Sequence, residues 1–433
     1  MASCARTTCP PRRTSSRRAE AHILDFQALR RFPDVEAGNL VAVDATDRLV
    51  LAEAGPAIEA ADAGQVVVVG DRYGAMTLGA IAMHAARIVR VHQDPLTGEQ
   101  ALAHNAAHTG LDCGFGGYRQ LPLTAELFAG ATVVIGQLPK NLDALREIAQ
   151  LAAAHADPGV EVFLGGRVKH MARAMNSVLG DSFAEVRASL AQQKSRVLRA
   201  CGPLPPAERK VTAYPLRQHH LDLDLWACAH GAVFAGTKVD IGTRYLLEFL
   251  ERMHPAATSA VDLGCGTGVI AAALARARPS LGVLATDQSA AAVSSAAATM
   301  AANSLTANSL TAYSLMGSDI NGSDINGRAL SGRVQVLRDD AMSTLPDSSV
   351  DLVACNPPFH LGTSVHAGAA LRLFEAAGRV LAPGGELWTV FNSHLAYARA
   401  LNRAVGPTHV VGRNAKFTVT VSTRSGQTSQ LDG

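Results

Sequence analysis

A four-residue turn in the C-terminal part of the chain has the groups needed to recognise a planar amino group. Asn356-Pro357-Pro358-Phe359 follows directly on the apolar run 350–355, which is typical of a buried strand. The Asn356 side-chain oxygen and the Pro357 carbonyl can each accept one amino hydrogen, while Phe359 can stack on the ring that carries the group. Pro357 and Pro358 stiffen the turn before a substrate arrives. Asn and Pro also favour ordinary turns, so these residues alone are equally compatible with a plain strand-to-turn junction.

A glycine-rich loop about ninety residues earlier favours the catalytic interpretation. A predicted buried strand and a predicted apolar helix flank this loop, which contains Gly264, Gly266 and Gly268. Glycines there allow a tight turn and let the backbone approach a ligand that a Cβ would block. The spacing is G-x-G-x-G and not the G-x-G-x-x-G of dinucleotide sites, which favours S-adenosylmethionine over NAD. We expect the three glycines and Asp262, in the strand before them, to bind this cofactor.

Two acidic residues at the ends of later strands suit the polar parts of the same cofactor. Asp287 follows the predicted strand 281–286, where a carboxylate can accept from both ribose hydroxyls. Asp340 follows the predicted strand 334–337 and is placed to accept from the adenine amino group. Its neighbour Asp339 is equally acidic, so one of the two is expected to be merely solvated. Ligands of open α/β sheets bind outside the carboxyl ends of the strands, where these residues would lie.

Length and composition indicate a protein with two globular cores. The chain has 433 residues, of which 48% are hydrophobic, and a formal net charge of +2. This length predicts two α/β domains of about two hundred residues each, and no apolar stretch is long enough to span a membrane. The seven cysteines are scattered and odd in number, which argues against a disulfide scaffold and favours the cytoplasm. Cys228-Ala229-His230 lacks a second ligand pair at zinc spacing, so no metal site is predicted.

The N-terminal half repeats the pattern of the C-terminal half without its chemical groups. A buried strand at 65–69 runs into the loop 70–74 and an Ala-rich helix, and a second strand ends near Asp94. The separation of this loop from Asp94 is close to that of the glycine-rich loop from Asp287. Gln-Leu-Pro-Lys at 137–140 stands where Asn-Pro-Pro-Phe would be. We predict an internal duplication whose first copy lacks the three glycines and binds no cofactor; chance similarity of two α/β units is the alternative.

A basic region precedes a Gly- and Pro-rich stretch between the two halves. Such a patch suits RNA phosphates, although helices also carry solvated arginines routinely. The predicted RNA-contact residues are Arg167, Lys169, Arg173, Lys194, Arg196 and Arg199.

Composition shifts and two short tandem repeats set the predicted domain boundaries. The repeats at 303–327 predict a surface insertion with no catalytic part. The remaining divisions are a disordered basic tail at 1–20, a degenerate domain suited to RNA docking at 21–200, a linker at 201–222, a catalytic domain at 223–422 and a disordered tail at 423–433.

With these motifs, the sequence resembles the RsmC/RlmG family of ribosomal RNA guanine-N2 methyltransferases, and within it the large-subunit branch. The resemblance covers about residues 24–422. Besides the two motifs above, it includes His-Gly-Ala-Val-Phe at 230–234, Asp-Ile-Gly-Thr-Arg at 240–244, Asn-Ser-His-Leu at 392–395 and Asn-Ala-Lys-Phe at 414–417.

The resemblance implies an α/β fold of two tandem class I methyltransferase-like (Rossmann-like) domains, of which the first is degenerate. It implies S-adenosylmethionine as cofactor, with Phe234 and Asp240 closing its pocket, although a core position suits Phe234 nearly as well. The implied substrate is the exocyclic 2-amino group of a guanine in ribosomal RNA, with 23S favoured over 16S. No membrane or metal partner is implied. The repeat insertion and the arginine-rich N-terminal segment depart from the family pattern.

Two other functions are compatible with parts of the sequence. A protein glutamine N5-methyltransferase acting on a release factor also uses Asn-Pro-Pro-aromatic on a flat amide. Such enzymes usually have Tyr in the motif and a helical N-terminal module, unlike the α/β pattern at 65–140. A non-catalytic RNA-binding assembly factor would explain the basic region, but it would not need intact glycines and an intact Asn-Pro-Pro-Phe.

Overall fold

The computed structural model describes residues 24–111, 117–305, 307–310, 334–358 and 364–426. The predicted basic tail at the N-terminus, most of the repeat insertion, Phe359 and the last seven residues lie outside the described residues. Among the helices that are described, none is both long enough and apolar enough to cross a membrane.

The N-terminal domain is built on a mixed sheet with seven described strands and helices on both faces. Every residue of its central strand β1 (Val66–Val69) is buried, and alternate valines enter two cores, one on each face. A strand covered on both sides has no need of polar alternation, which explains the run of four valines. The other strands are β2 (Val89–His92), β3 (Tyr118–Gln120), β4 (Val133–Gln137), β5 (Glu161–Arg167), β6 (Phe183–Ala188) and β7 (Ser195–Pro203).

Helices connect these strands and supply the two outer layers. The first of them begins at Asp44, whose carboxylate accepts from the main-chain N–H of Thr46 at 2.7 Å, while Asp47 accepts in return from the Asp44 N–H. The helices are α1 (Ala45–Ala60), α2 (Ala75–His84), α3 (Leu96–Thr109), α4 (Ala125–Phe128), α5 (Leu142–His155) and α6 (Arg173–Gly180), with a 3-10 turn at Val168–His170.

The C-terminal domain repeats this layout after a short antiparallel hairpin, β8 (Leu216–His220) and β9 (Leu225–Ala229). Its strands are β10 (Ser259–Leu263), β11 (Gly282–Asp287), β12 (Ala307–Leu310), β13 (Val334–Arg338), β14 (Val350–Cys355), β15 (Leu381–Asn392), β16 (Thr408–Arg413) and β17 (Phe417–Thr423). Its helices are α7 (Ile241–Leu247), α8 (Val269–Ala277), α9 (Ala290–Ala302), α10 (Ser364–Val380) and α11 (Ala398–Ala404), with a 3-10 turn at Leu250–Arg252.

The two sheets have the same strand order. It is β3-β2-β1-β4-β5-β7-β6 in the first sheet and β13-β11-β10-β14-β15-β17-β16 in the second, where β12 is added outside β13. In each sheet the last strand of the chain, β7 or β17, runs antiparallel to both neighbours. The predicted α/β fold of two tandem Rossmann-like domains is therefore confirmed. The order changes direction between β1 and β4, and between β10 and β14, which is where open α/β sheets bind ligands.

The strand register determines which residues of the two domains correspond. In the first sheet Val69 pairs with His92 on one side and with Gly136 on the other. In the second sheet Leu263 holds the same place between β11 and β14. The residues that follow these strand ends can therefore be matched one by one.

The loop 70–74 matches the glycine-rich loop 264–268 residue for residue and has the same length. It keeps the first and third glycines, Gly70 and Gly74, and both have positive φ. Only the middle glycine is replaced, by Arg72. The prediction that the first domain lacks all three glycines was therefore wrong.

The register also corrects the predicted counterpart of Asp287. Gln93 follows His92 as Asp287 follows Thr286, so Gln93 and not Asp94 occupies this place. The two connections have the same length, because the register pairs Val69 with His92 and Leu263 with Thr286. The sequence prediction selected Asp94 because it is the nearest acidic residue, one position beyond the structural match. By the same register Gln137 corresponds to Asn356, in agreement with the predicted placement of Gln-Leu-Pro-Lys.

The segment between the two sheets is shorter than the predicted linker, 201–222. Strand β7 continues to Pro203, and β8 lies inside the predicted linker and pairs with β9. The Gly202-Pro203 pair suggested a break, but Pro203 lies at the end of its strand, where a missing N–H is tolerated.

Candidate active site

A cavity of about 380 Å³ opens at the carboxyl ends of β10, β11, β13 and β14. The loops after all four strands line it, and the segment before α7 contributes a further wall. This is the edge of the sheet at which the sequence predicts the site. Among the predicted cofactor-binding and catalytic residues, those lining the cavity are Phe234, Asp240, Gly264, Gly266, Asp287, Asp340, Asn356, Pro357 and Pro358.

The three glycines of the glycine-rich loop are required for two different physical reasons. Gly264, Gly266 and Gly268 all have positive φ, which side-chain-bearing residues rarely adopt. A Cβ at Gly264 or Gly266 would meet no atom within 4 Å, so the space before them is open to a ligand. A Cβ at Gly268 would lie 2.9 Å from the Cβ of Ala296 on α9. The first two glycines therefore shape the cavity, whereas the third allows two helices to pack.

Asp262 lies behind this loop and does not line the cavity. Its side chain is fully buried, and one carboxylate oxygen accepts from the main-chain N–H of Ala271 at 2.9 Å. Burial raises the pKa of Asp262 to about 7, and the charge of Asp287 adds to this shift. Asp262 ties the first turn of α8 to β10 and thereby supports the loop, instead of contacting the cofactor as predicted.

Asp287 combines a fixed orientation with spare acceptor capacity. Its Oδ2 accepts from the Gly266 N–H at 3.0 Å, and its Oδ1 accepts from the Ser289 N–H at 2.9 Å. Burial raises its pKa, and the two backbone donors partly oppose that shift. Because each carboxylate oxygen can accept more than one hydrogen bond, Asp287 remains able to accept from a pair of ribose hydroxyls.

The two neighbouring acids after β13 have separate tasks, and neither is merely solvated. Asp339 is buried and accepts from the N–H and hydroxyl groups of both Ser343 and Thr344, at distances between 2.5 and 3.2 Å. These four bonds use its acceptor capacity to shape the turn. Both acids line the cavity, and Asp340 forms an ion pair with Arg372. Asp340 is therefore the acid of this pair with an oxygen to offer to a ligand.

The hydrogen bonds that hold Asn356 use its amide NH₂ group and leave its amide oxygen without a donor among the described residues. Its Nδ2 donates to Asp240 Oδ2 at 3.1 Å and to Thr243 Oγ1 at 2.9 Å. This fixes the amide orientation, since only the NH₂ end can donate to a carboxylate. The Oδ1 atom is buried and accepts no hydrogen bond from any described residue. An unpaired buried acceptor costs about 1–3 kcal/mol, so the site is built to receive a donor at this point.

Thr243 is the functional residue that the sequence analysis missed. Asp240 caps α7 by accepting from the Gly242 N–H at 2.8 Å, and this helix start presents the Thr243 hydroxyl to Asn356. Asp240 therefore lines the cavity, as predicted, and also positions the Asn356 amide. Both residues belong to the Asp-Ile-Gly-Thr-Arg stretch that contributes to the family resemblance. The sequence therefore indicated that this stretch matters, but it did not indicate that Thr243 contacts Asn356.

Phe234 lies at the mouth of the cavity with 69% of its surface exposed. A core position, which the sequence left open, does not apply. Pro357 and Pro358 follow Asn356 along the cavity wall, and the predicted stacking residue Phe359 lies outside the described residues.

The predicted RNA-contact residues fall into separate groups. The register of β5 and β7 brings Arg167 close to Arg196, and the N–H of Val168 donates to the carbonyl of Lys194 at 2.9 Å. These residues lie at the carboxyl edge of the first sheet. Arg199 lies toward the other end of the strand pair, where its guanidinium bonds to Glu161 at 2.7 Å. Two further predicted residues, Lys169 beside this edge and Arg173 at the start of α6, are exposed.

Two cations that were not predicted join the first group. The pKa of His170 is lowered, by desolvation first and then by repulsion from Lys140, Lys169, Arg167 and Arg72. Lys140 follows β4, and Arg72 is the residue that replaces the middle glycine. We call the surface formed by Arg72, Lys140, Arg167, Lys169, Lys194 and Arg196 the basic edge.

The residues around the cavity fit S-adenosylmethionine. The loop 264–268 offers a wall without Cβ atoms, against which a ligand can lie closely. Asp287 can accept from ribose hydroxyls and Asp340 from an adenine amino group. The reaction also needs an acceptor that holds the substrate's hydrogen-bond donor beside the methyl group, and the unpaired oxygen of Asn356 can serve as that acceptor.

Comparison with known proteins gives matches along nearly the whole chain. The family described as RLMG N-terminal domain matches residues 20–203, and the Methyltransferase small domain matches 224–321 and 318–421. The ribosomal RNA large subunit methyltransferase G of Streptomyces avermitilis is 32% identical over 400 residues, which is 90% of this chain and 95% of that protein. The protein of the same name from Pseudomonas aeruginosa is 34% identical over 393 residues, with coverage of 90% and 96%.

Among solved structures, the T. thermophilus 16S rRNA N2 methyltransferase RsmC, in complex with AdoMet and guanosine, has the same fold. The TM-score is 0.63 at 19% identity, over 88% of this chain and 92% of that chain. The fold and the site together define a class I, S-adenosylmethionine-dependent methyltransferase. On its relatives, the chain belongs to the ribosomal RNA large subunit methyltransferase G family.

Proposed function

We propose that this protein transfers a methyl group from S-adenosylmethionine to the exocyclic 2-amino group of a guanine in 23S ribosomal RNA. The observation that carries this proposal is the state of Asn356. Its amide hydrogens are taken by Asp240 and Thr243, and its buried oxygen accepts from no described residue. An exocyclic amino group has two hydrogens, one for this oxygen and one for the carbonyl of Pro357.

These two acceptors address the main chemical difficulty. The 2-amino nitrogen of guanine is a weak nucleophile because its lone pair is delocalised into the purine ring. Acceptors on both hydrogens orient the group and favour the form in which the lone pair leaves conjugation. S-Adenosylmethionine, when bound, supplies a methyl group made electrophilic by its sulfonium centre. The hydrogen bond to Asn356 strengthens as positive charge develops on the nitrogen, so it contributes most in the transition state.

A strong general base is not needed for this reaction. Once methylated, the nitrogen carries a positive charge and becomes acidic, so its extra proton passes readily to solvent. This agrees with the described surroundings of Asn356, where the one carboxylate in hydrogen-bond contact, Asp240, is already engaged with the amide and with the start of α7.

The RNA substrate is supported by the relatives. Those at 32% and 34% identity are named for the large ribosomal subunit, and the RsmC structure holds guanosine together with AdoMet. We place the protein in the cytoplasm, where such a substrate is found.

The proposed role of the N-terminal domain is RNA docking without a cofactor of its own. Arg72 and Gln93 occupy the places of Gly266 and Asp287, which removes both the Cβ-free wall and the acid. The basic edge includes Arg72 of this altered loop and presents side chains suited to phosphates. Arg199, paired with Glu161, is no longer part of the proposed docking surface.

Methyl transfer from labelled cofactor to separated 16S and 23S RNA tests the proposal. We expect label in 23S RNA, recovered as N2-methylguanosine after digestion, and none with Asn356→Ala. A release factor is offered in a parallel reaction. Label in the release factor and none in either RNA would favour a protein glutamine methyltransferase and overturn the proposed substrate.

A further inference from the structure

The two domains meet through matching loops, those that follow β2 and β11. The N–H of Leu96 donates to the carbonyl of Gln288 at 2.9 Å, and the N–H of Ala290 donates to the carbonyl of Asp94 at 2.9 Å. Given the register of the two sheets, position 94 corresponds to 288 and position 96 to 290. The two bonds are therefore reciprocal, and they lie directly after the strand that carries Asp287.

Asp94 holds the start of the catalytic domain's helix α9 from the other domain. Its Oδ1 accepts from the Ser289 hydroxyl at 2.9 Å and from the Ala291 N–H at 2.8 Å. The N–H of Ser289 in turn donates to Oδ1 of Asp287 at 2.9 Å. A side chain of the N-terminal domain thus fixes the residue that orients the proposed ribose-binding carboxylate.

Arg338 makes a second link, two residues before the proposed adenine-binding acid. Its largely buried guanidinium pairs with Glu99 at 2.7 Å. It also donates to the carbonyls of Gln93 at 3.0 Å and Asp94 at 2.9 Å, and its Nε donates to the carbonyl of Gln288 at 3.1 Å. One side chain therefore joins the tips of β2, β11 and β13.

A third contact reaches the cavity wall itself. The hydroxyl of Thr97, a buried residue of α3, donates to Oε1 of Gln288 at 3.1 Å, and Gln288 lines the cavity. The N-terminal domain therefore contacts the loop after β11, which lines the cavity, through both side-chain and main-chain atoms. Thr97 itself does not line the cavity.

We infer that the N-terminal domain positions the cofactor-binding loops of the catalytic domain, with Asp94, Thr97 and Arg338 as positioning residues. They act through Ser289 and Gln288, and none of the three lines the cavity itself. Cofactor affinity then depends on residues of a domain that we propose binds no cofactor. This inference concerns S-adenosylmethionine and is independent of which RNA is methylated.

Calorimetry with S-adenosylmethionine and full-length protein, in the absence of RNA, tests the inference. Asp94→Ala removes the acceptor for the Ser289 hydroxyl and for the Ala291 N–H, while Ser289 itself remains as the N-cap of α9. We expect the cofactor Kd to rise about tenfold, as for the loss of a hydrogen bond to a charged group. Turnover at saturating cofactor should change less than about twofold, because the loop reaches its working geometry once the cofactor is bound. Asp94→Asn keeps an acceptor oxygen and should recover most of the affinity.

Thr97→Val provides a second, nearly isosteric change, and we expect it to raise the cofactor Kd about threefold by removing one neutral hydrogen bond. The matched control is Tyr214→Phe, which removes a hydrogen bond from the segment between the domains to the carbonyl of Asp143 at 3.1 Å, outside the cavity lining. Its cofactor affinity should stay unchanged.

Melting temperatures separate positioning from folding. Unchanged cofactor affinity in folded Asp94→Ala and Thr97→Val would show a purely structural contact and overturn the inference. An equal loss of affinity in Tyr214→Phe would indicate general loosening and overturn it as well. If Asp94→Ala does not fold, the result for Thr97→Val decides.

Discussion

The N-terminal and C-terminal domains share a strand order and a glycine loop of the same length, and they differ in the side chains at the sheet edge. In the first domain Gln93 is fully buried; its amide donates to the carbonyl of Asp71 in the adjoining loop and accepts from Gln120. In the second domain Asp287 also bonds to its loop, at Gly266, but keeps free lone pairs. The backbone layout is therefore common to both domains, and the side chains at the sheet edge distinguish them.

The contact made by the amide after the fourth strand is also common to both domains. Gln137 Nε2 donates to Asp47 Oδ1 at 2.6 Å, as Asn356 Nδ2 donates to Asp240 Oδ2 at 3.1 Å. Each carboxylate lies at the start of the helix before the sheet, and burial raises the pKa of Asp47 to about 7. The amide–carboxylate pair is thus common to both domains, and the second domain differs in its shorter amide side chain followed by two prolines.

The largest expected effect is at Asn356, where the two domains differ by one methylene. Asn356→Ala removes an acceptor that acts mainly in the transition state, so we expect turnover to fall at least about a hundredfold. Asn356→Gln installs the N-terminal domain's residue and displaces the oxygen by about one bond length, with a loss of similar size. Single-turnover methyl transfer and calorimetry should show lost turnover with cofactor affinity largely retained. Near-normal turnover of Asn356→Ala would refute the catalytic role.

Asp287 should show the opposite behaviour, a loss of affinity before any loss of turnover. Asp287→Ala removes a charged acceptor for the ribose hydroxyls, and we expect the cofactor Kd to rise roughly tenfold to a hundredfold. The converse change, Gln93→Asp in the first domain, should leave the stoichiometry at one cofactor per chain, because Arg72 still stands in the place of the middle glycine. Calorimetry reports both quantities, and two sites in the unmodified protein would contradict the proposed difference between the domains.

Replacing the third glycine of the loop should destabilise both domains equally, because in each domain a Cβ at this position would clash with a neighbouring helix. A Cβ at Gly74 would lie 2.7 Å from Cδ1 of Leu102, much as a Cβ at Gly268 would meet Ala296. With positive φ at both positions, we expect Gly74→Ala and Gly268→Ala each to lower the free energy of unfolding by about 2 kcal/mol. Denaturant titrations measure this change. Gly74→Ala should leave the stoichiometry at one cofactor per chain, as measured by calorimetry.

The smallest expected effect concerns the basic edge, which belongs to the N-terminal domain and is the proposed RNA-docking surface. Charge reversal at Lys169 or Lys194 should weaken RNA binding severalfold and flatten its salt dependence. Arg199→Glu is the matched control, because Arg199 is already paired with Glu161 away from this edge. Filter binding at several salt concentrations distinguishes the variants. Equal losses in all three would show that net charge alone, and not this surface, governs RNA binding.

Contiguous motifs allowed much of this structure to be predicted from the sequence. The loop 264–268 and the turn after β14 each lie within a few residues of the strand that positions them, so their place at the carboxyl edge followed directly. The repeated spacing of strands and loops also predicted two domains of one kind. Fold and cofactor class were accessible for this reason.

Contacts between distant segments could not be predicted in the same way. The pairs Asn356–Asp240 and Asn356–Thr243 join residues 116 and 113 positions apart, and no local pattern specifies them. The sequence prediction matched Asp94 to Asp287 because both are acidic, whereas the hydrogen-bond register matches Gln93 to Asp287. Burial separated Asp262 from the ligand-facing residues, although its position in the motif suggested contact.

The residue that follows Asn356 also affects how long the catalytic amide survives. Asparagine in proteins deamidates mainly when the next backbone nitrogen attacks the side-chain carbonyl and closes a five-membered imide ring. The nitrogen of Pro357 has no hydrogen to lose and cannot close that ring. Deamidation would create a carboxylate facing Asp240, with no amide hydrogens to hold it. The proline that keeps the turn rigid thus also protects the Asn356 amide, the proposed catalytic group, against the commonest spontaneous damage to asparagine.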